Sequence, residues 1–468
     1  MRIAVGTVIA HRPPHGPERA QLYLEQLTAN RTCGWPRSSA CVTRTQPWEA
    51  GIGKSRLAAA VLERLAGEHH SCLRYSCSPQ HADSALFPVT GQLERAAGFT
   101  HQDDTRAKLD KLDAVLARTS TSDANAALFA ELLSLPNDGR YPVLALAPTL
   151  RRQRMLQALT SHLAALAGRQ PVLMIFEDAH WSDPTSLEWL SRTIEFVHNN
   201  IPVLLIVTFR PEFAAPWVGQ AHVTSLTLNR LGEREVAVMI ARLAGNKQLR
   251  ADVMAQIAAR TDGIPLFVEE MTKAVLEAEG EGEAPSTAGV GPAPALAVPV
   301  SLHASLMARL DRLGPAREIA QVGAAIGREF SHAVLAAIVP KPEAELASAL
   351  ERLIAAGLLF RHGLPPLADY LFKHALVQDA AHSTLLREPR RALHALIAKT
   401  LECQFVEIAE SKPELLAHHC VEAGLSEAAI EWFRKAGEQA LRRCAFEEAV
   451  SHLGKAIEVA DKAWIGST

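Results

Sequence analysis

Apolar residues recur at helical spacing through KSRLAAAVLERLAG (54–67), which predicts a helix that begins inside a glycine-containing turn. A strand is predicted at 71–77, and helical spacing returns around 89–98, 105–117, 123–133 and 147–168. PVLMIFED (171–178) is a continuous apolar run closed by two acids, the pattern of a parallel strand buried on both faces. PTSLEWLSRTIEFV (184–197) opens on proline, as first helical turns often do, and IPVLLIVTFR (201–210) is a second buried run. Strands alternating with helices predict an α/β layered core with a parallel sheet. After about residue 215 the strands are expected to stop, giving way to helices near 232–245, 249–259 and 267–278.

Residues 279–300 are small and rich in Gly and Pro and read as a linker. Beyond it, 301–386 alternates helices with two short strands, near 357–361 and 369–373, an order that suits a winged-helix domain. The remainder is helical, and AGEQALRRCAFEEAVSHLGKAIEVA (436–460) resembles one tetratricopeptide repeat, a unit of roughly 34 residues. A lone repeat cannot bury its own face, so the chain is expected to stop at the start of an array. Residues 1–48 read differently from the rest, rich in Arg, Pro, Thr, Ser and Cys, with one strand-like run at 3–9. The expected organisation is an atypical segment (1–48), a P-loop NTPase core (49–215), a helical lid (216–278), the linker (279–300), a winged helix (301–386) and the opening of a TPR-like array (387–468).

The 468 residues allow two to four domains, and 48% hydrophobic with 21% charged residues is the composition of a globular protein. A net charge of −3 argues against a dedicated nucleic-acid binder, and no run of 18 apolar residues exists to span a membrane. The N-terminus lacks the apolar core and cleavage site of a secretory signal. Seven scattered cysteines (33, 41, 72, 77, 403, 420 and 444) form no C-x-x-C pair and suggest free thiols in a reducing cytoplasm. The histidines at 69–70 and 418–419 have no matching ligand set and are expected to be solvated or capping.

The chemistry-bearing residues begin at PWEAGIGKSR (47–56). A phosphate-binding loop, G-x-x-x-x-G-K-[ST], wants a glycine where this chain has Trp48. The rest of the pattern is present. Gly51 and Gly53 permit positive φ angles and close backbone approach, so that Gly51, Ile52, Gly53 and the helix start through Arg56 can surround a phosphate. Lys54 would reach the β- and γ-phosphates and the Ser55 hydroxyl would ligate Mg²⁺. A plain helix N-terminus is the alternative reading. The strand ending in Glu177–Asp178 has the form of a Walker B strand, with Glu177 assigned mainly to the metal and Asp178 to the attacking water. Arg210, at the next strand's end in VTFRPEF, stands where a sensor arginine could contact the γ-phosphate, although a surface arginine there is common. In DGIPLFVEEM (262–271), Gly263 and Pro265 open a helix; in a nucleotide switch such a proline packs near the base, whereas without context it is only a helix start.

These elements in this order resemble the STAND class of signalling ATPases, and more closely the ATPase region of bacterial regulators linked to class III adenylate/guanylate cyclase or LuxR-type DNA-binding domains. The phrases carrying the resemblance include EAGIGKSRL, PVLMIFEDAHWSDPTSLEWL, VTFRPEF, GIPLFVEEM, SLHASLMARLDRLG and FKHALVQDAAHSTLLR, and together they span roughly 49–465. The resemblance implies a nucleotide-binding core, helical lid and winged helix followed by tetratricopeptide-like helices that sense a protein partner or ligand. It implies ATP/ADP with Mg²⁺ as the cofactor set, and oligomerisation when ATP is bound. In related switches a winged-helix histidine contacts the β-phosphate of ADP, and His374 is the candidate here. Relatives mostly carry Tyr where this chain has His382.

The larger departure lies upstream. Relatives have an apolar strand directly before the loop, and residues 36–48 contain none; the run at 3–9 is not expected to replace it from about 40 residues away. The family text starting abruptly at Glu49 suggests that residues 1–48 are read in a different frame or from a misplaced start. The leading functional expectation is an ATP-dependent signalling switch with slow hydrolysis. One alternative is a fragment of a multidomain cyclase lacking its catalytic domain, since 48 residues cannot hold that ferredoxin-like fold. The other is a TPR-type binding scaffold with a defective nucleotide site.

Overall fold

The computed structural model describes residues 6–10, 51–281 and 301–465, apart from 101–102, 198–200, 211, 221, 246 and 248. The described residues gather into two compact units. One holds 55–227, 394–465 and the N-terminal strand; the other holds 228–393 together with residues 51–54. The expectations for residues 11–48, including the missing lead-in strand, lie outside the described residues, as does most of the expected linker.

In the first unit, β2 (Ser71–Ser76), β3 (Val172–Glu177) and β4 (Val203–Thr208) are parallel neighbours in register, with Ser76 opposite Glu177 and Phe176 opposite Val207. All six residues of β3 are buried, as a central parallel strand requires. Successive side chains alternate between its faces. Leu173 and Ile175 join Ile206 against Ala58 and Val61 of α1 (Lys54–Leu65). Val172, Met174 and Phe176 face a larger core with Leu205 and Val207. That core is completed by α2 (Phe87–Ala97), α3 (Thr105–Ala117), α4 (Asp123–Leu132), α5 (Pro148–Arg169) and α6 (Pro184–Val197), with Phe129 and Trp189 fully enclosed. The apolar periodicity of the sequence is satisfied on both sides of the sheet.

Two features of this sheet differ from the sequence expectation. Strands do not stop at 215: β5 (Val223–Thr227) is a sheet edge whose residues are half-buried or exposed. An edge strand of this kind buries too little to produce an apolar run, so its sequence reads as a loop. The N-terminal run is also used. Strand β1 (Gly6–Ala10) lies between β4 and β5, antiparallel to both, with Thr7 opposite Thr208 and Leu226. Loop-closure entropy grows only with the logarithm of loop length, so a long connection is no barrier to filling a vacant place in the sheet.

The C-terminal helices α16 (Val406–Ser411), α17 (Pro413–Ala423), α18 (Ser426–Arg442) and α19 (Phe446–Ile465) belong to this same unit. Helices α18 and α19 approach closely at Gly437, where a Cβ would fall 2.8 Å from the Leu453 side chain. Ala440, Ala445 and Ala449 form a small-residue contact with Ala85. Polar ties join the same surfaces: Ser84 Oγ donates to Glu414 Oε1 at 2.7 Å, His452 Nε2 lies 2.9 Å from the Asp83 carbonyl, and Lys455 pairs with Asp83. His419, expected to be solvated or capping, is instead fully buried and shares a 2.9 Å Nδ1–Nδ1 hydrogen bond with His394. Tertiary packing by α15 (Arg387–Gln404) encloses it, which no local pattern signals. Cys72, Cys77, Cys403, Cys420 and Cys444 are free thiols, and no group of three His, Cys, Asp or Glu among the described residues is arranged to hold a metal.

In the second unit, α7 (Glu233–Ala244), α8 (Ala251–Thr261) and α9 (Pro265–Glu281) enclose Val236, Ile240, Val253, Ile257, Val268 and Met271. Then follow α10 (Leu302–Arg312), α11 (Pro315–Ile326), β6 (Glu329–Ser331), α12 (His332–Ile338), α13 (Glu343–Ala355), β7 (Leu359–His362), β8 (Asp369–Phe372) and α14 (Ala375–Ser383). The strands form an antiparallel sheet ordered β6-β8-β7. Beside the two strands expected here, β6 is new; three residues are too few to leave a period-two signal. Ion pairs, with that of Arg309 and Glu270 buried, bind α9 to its neighbours. Arg309 pairs with Glu270, donates through Nε to Glu277 at 3.1 Å, and through a terminal nitrogen to the Ala356 carbonyl at 2.6 Å. Lys273 and Lys373 both reach Glu269 at 2.6 Å. No helix among the described residues is long and apolar enough to cross a membrane.

Candidate functional site

The sequence-selected residues fall in both units, and each group is described within its own. In the first unit the sheet's C-terminal edge carries the acids. Glu177, the last residue of β3, is 9% exposed, and its Oε2 accepts from the Arg74 guanidinium at 2.7 Å. Parallel pairing of β2 with β3 makes this contact, because it sets Arg74 one pleat away from the residue opposite Glu177. Asp178 adopts a left-handed backbone (φ 57°), a conformation Asp tolerates better than most residues, and so turns the chain sharply off the strand. Its amide donates to Thr208 Oγ1 at 3.0 Å, which ties the turn to the end of β4. A short 3₁₀ turn, Ala179–Trp181, then places the Trp181 ring 4.7 Å from the Arg210 guanidinium carbon, within cation–π range. The structure thus brings Glu177, Asp178 and Arg210 to one strand-end cluster. Ser55 and Arg56 are exposed at the start of α1, and Arg56 forms a surface pair with Glu63 at 2.7 Å.

Three residues of this cluster escaped sequence reasoning. Arg74 and Thr208 carry no local signal, since strand adjacency alone gives them their partners. Asp183 did carry one: it directly precedes the Pro184 helix start, where a capping acid is favoured. Its Oδ1 accepts from the Ser186 amide at 2.8 Å and the Leu86 amide at 3.0 Å. Full burial, with Glu448's charge adding to it against these hydrogen bonds, pushes its carboxyl up to about 7. Nearby, burial raises the Cys77 thiol well above its ordinary range, which makes that thiol a poor nucleophile.

In the second unit, Gly51 and Gly53 have φ of 89° and 103°, the left-handed region that favours glycine, and Ile52 between them is buried. A Cβ at Gly51 would lie 2.6 Å from Leu266 Cβ, and the Gly51 carbonyl accepts from the Leu266 amide at 3.1 Å. The glycine loop is therefore clamped to the first turn of α9, the helix that Pro265 opens. Gly263 is required just upstream, because a Cβ there would strike the Leu231 carbonyl oxygen at 2.1 Å. His374 precedes α14. Burial, then the Lys373 charge, holds its imidazole down at about 4, so the ring is neutral at neutral pH. Its Nε2 is buried without a hydrogen-bond partner among the described residues.

Residues 49–206 match the AAA ATPase domain family. Over 420 residues the chain is 30% identical to an uncharacterized protein of Rhizobium meliloti (strain 1021), an alignment covering 88% of this chain and 40% of that protein. The chain thus spans about 40% of the length of the relative it matches. With the parallel three-stranded sheet and its helices, the match gives the chain an AAA-like ATPase module.

Proposed function

We propose that this chain is a nucleotide-dependent signalling switch of the STAND type, with ATP and ADP favouring different states and slow hydrolysis resetting it. The observation that carries this reading is the glycine loop. Positive φ at Gly51 and Gly53, directly before Lys54 and Ser55 and inside the AAA match, is the backbone that exposes consecutive N–H groups to a phosphate. Lys54 is assigned to the phosphates, with Ile52 and Arg56 flanking the loop. Ser55 and Glu177 are assigned to Mg²⁺, which when bound supplies charge neutralisation for the phosphates. Asp178 orients water, Arg210 senses the terminal phosphate, and Pro265 and His374 belong to the lid and to the winged helix formed by α10–α14. The Nε2 of His374, without a hydrogen-bond partner among the described residues, supports a ligand-facing role. Helices α17–α19 are read as the opening TPR-like elements through which a protein partner acts.

A second reading, a binding scaffold with a defective nucleotide site, draws on two observations. Arg74 already occupies Glu177, and an antiparallel strand stands beside β4. In that reading Glu177 is neutralised by Arg74, a role that leaves no metal function. Equilibrium binding of labelled ATP and ADP, with Lys54→Ala as the control, separates the two. Micromolar binding that Lys54→Ala weakens by at least about tenfold is expected, in line with the loss of a charged hydrogen-bond donor. No binding by the wild-type chain leaves the scaffold.

A further inference from the structure

Two buried carboxyl groups meet at the N-terminus of α6, and neither serves the roles assigned above. Asp183, 0% exposed, caps the helix from its own chain end by accepting from the Ser186 amide. Glu448, 1% exposed, comes from α19 and accepts from the adjacent Thr185 amide at 2.9 Å. Two consecutive amides of one helix end are thus taken by two acids separated by more than 260 residues of chain. Each acid spends one oxygen this way. The other oxygens, Asp183 Oδ2 and Glu448 Oε2, are buried without a hydrogen-bond partner among the described residues.

Among the described residues the nearby Arg152 and Lys455 form their ion pairs with other acids. Arg152 of α5 is engaged by Glu188 at 2.6 Å and by Thr185 Oγ1 at 3.3 Å. Lys455 is paired with Asp83, and His452, one turn along α19 from Glu448, faces the Asp83 carbonyl. Burial lowers the His452 pKa, so this ring is not a source of positive charge near neutrality. Glu448 is the charged group that acts on Asp183, and the Cys77 thiol, neutral for the reason given above, is influenced by Asp183 together with the strand-end acids Glu177 and Asp178. Two ionised carboxylates in one dry site repel strongly, whereas one proton shared between them removes a charge and supplies the missing donor.

We propose that Asp183 and Glu448 share a single proton and form a protonation-dependent clasp that holds α19 against the N-terminus of α6. The proton lies between Oδ2 and Oε2, the two oxygens left over from capping. The clasp acts as a regulatory device independent of nucleotide binding: it closes when one carboxyl is protonated and weakens when both ionise. Its position gives it leverage, because Asp183 ends the segment that leaves Asp178 through the Ala179–Trp181 turn. Another acid where the C-terminal helices pack, Glu414 of α17, behaves oppositely. Burial alone would raise Glu414, but hydrogen bonds from His81 and Ser84 outweigh it and hold its carboxyl at about 2, so this contact persists as pH rises.

The test is hydrogen exchange of the full chain at residues 426–465, corrected for intrinsic rates, from pH 5 to 8. The docking equilibrium of α18–α19 is expected to fall by up to about tenfold per pH unit between roughly pH 5 and 7 and then level off. In Glu448→Gln the amide donates where the proton sat, and the slope is expected to drop below about twofold per unit, since one fixed neutral partner removes the linkage. A wild-type slope retained in Glu448→Gln overturns the proposal, and so does a slope abolished by a chelator, which would identify a bound cation instead. Infrared spectroscopy provides a second reading that does not depend on the variant docking. Wild-type protein at pH 6 should show a protonated-carboxyl band that is missing from Asp183→Asn; absence of that band from the wild type also overturns it.

Discussion

Buried and partly buried acids are handled in opposite ways in the two units. Around α9, Glu269 and Glu270 are each met by cations: Lys273 of the same helix and Lys373 for the first, Arg309 of α10 for the second. At the N-terminus of α6, Asp183 and Glu448 each accept from a helix amide, and their remaining oxygens have no hydrogen-bond partner among the described residues. The first arrangement makes a joint that holds at neutral pH, because its carboxylates are compensated by cations there. The second makes a joint whose strength depends on a proton. Both contacts join segments distant in sequence, so the difference lies in the counter-charge rather than in topology.

The largest effect that would sharpen the contrast is at Arg309. Arg309→Met leaves Glu270 buried without its partner and should cost roughly 3–5 kcal/mol, measured as lost exchange protection in α9 and α10. Adding Glu270→Leu should restore most of that loss, because a well-packed apolar pair can replace a buried ion pair. Equal losses in the single and double variants would mean that packing, not charge matching, holds the joint.

Next comes the direction of the pH response. Burial raises Glu269, but the hydrogen bonds from Lys273 and Lys373 outweigh it and hold its carboxyl at about 2, below its ordinary 4.5. Its contribution is therefore present above pH 4.5 and lost as pH falls toward 2. Asp183 is raised from 3.8 to about 7, so its contribution is present at low pH and lost as pH rises through about 7. Local exchange protection should then fall on acidification in α9 and on alkalinisation at the start of α6; parallel responses would break the comparison. The smallest effect is expected at Lys455, whose side chain is 44% exposed. Lys455→Met should change stability by no more than ~1 kcal/mol in thermal unfolding, as exposed ion pairs do.

Much of the ATPase core was legible because its signals are local. The continuous apolar text of β3 and β4, the acids at 177–178 and the paired glycines before Lys54 each follow from what a buried strand end or a tight loop demands of its own residues. Less visible were elements whose partners are remote. β5 is an exposed edge strand, β1 enters the sheet from far upstream, and Arg74 reaches Glu177 only because two strands are neighbours. His419 looked like a surface residue until His394 was placed beside it.

The amino-acid sequence by itself determined the periodicities, the loop backbone at Gly51 and Gly53 and the chemistry placed at each strand end, because these depend on residues a few positions apart. Tertiary structure alone decided which charge meets which. That Glu270 finds Arg309 while Glu448 reaches the Thr185 amide depends on helices brought together by burial of their apolar faces. Burial is non-directional and selects a face rather than a partner, so the pairing of polar groups on those faces is fixed only when the whole chain has packed.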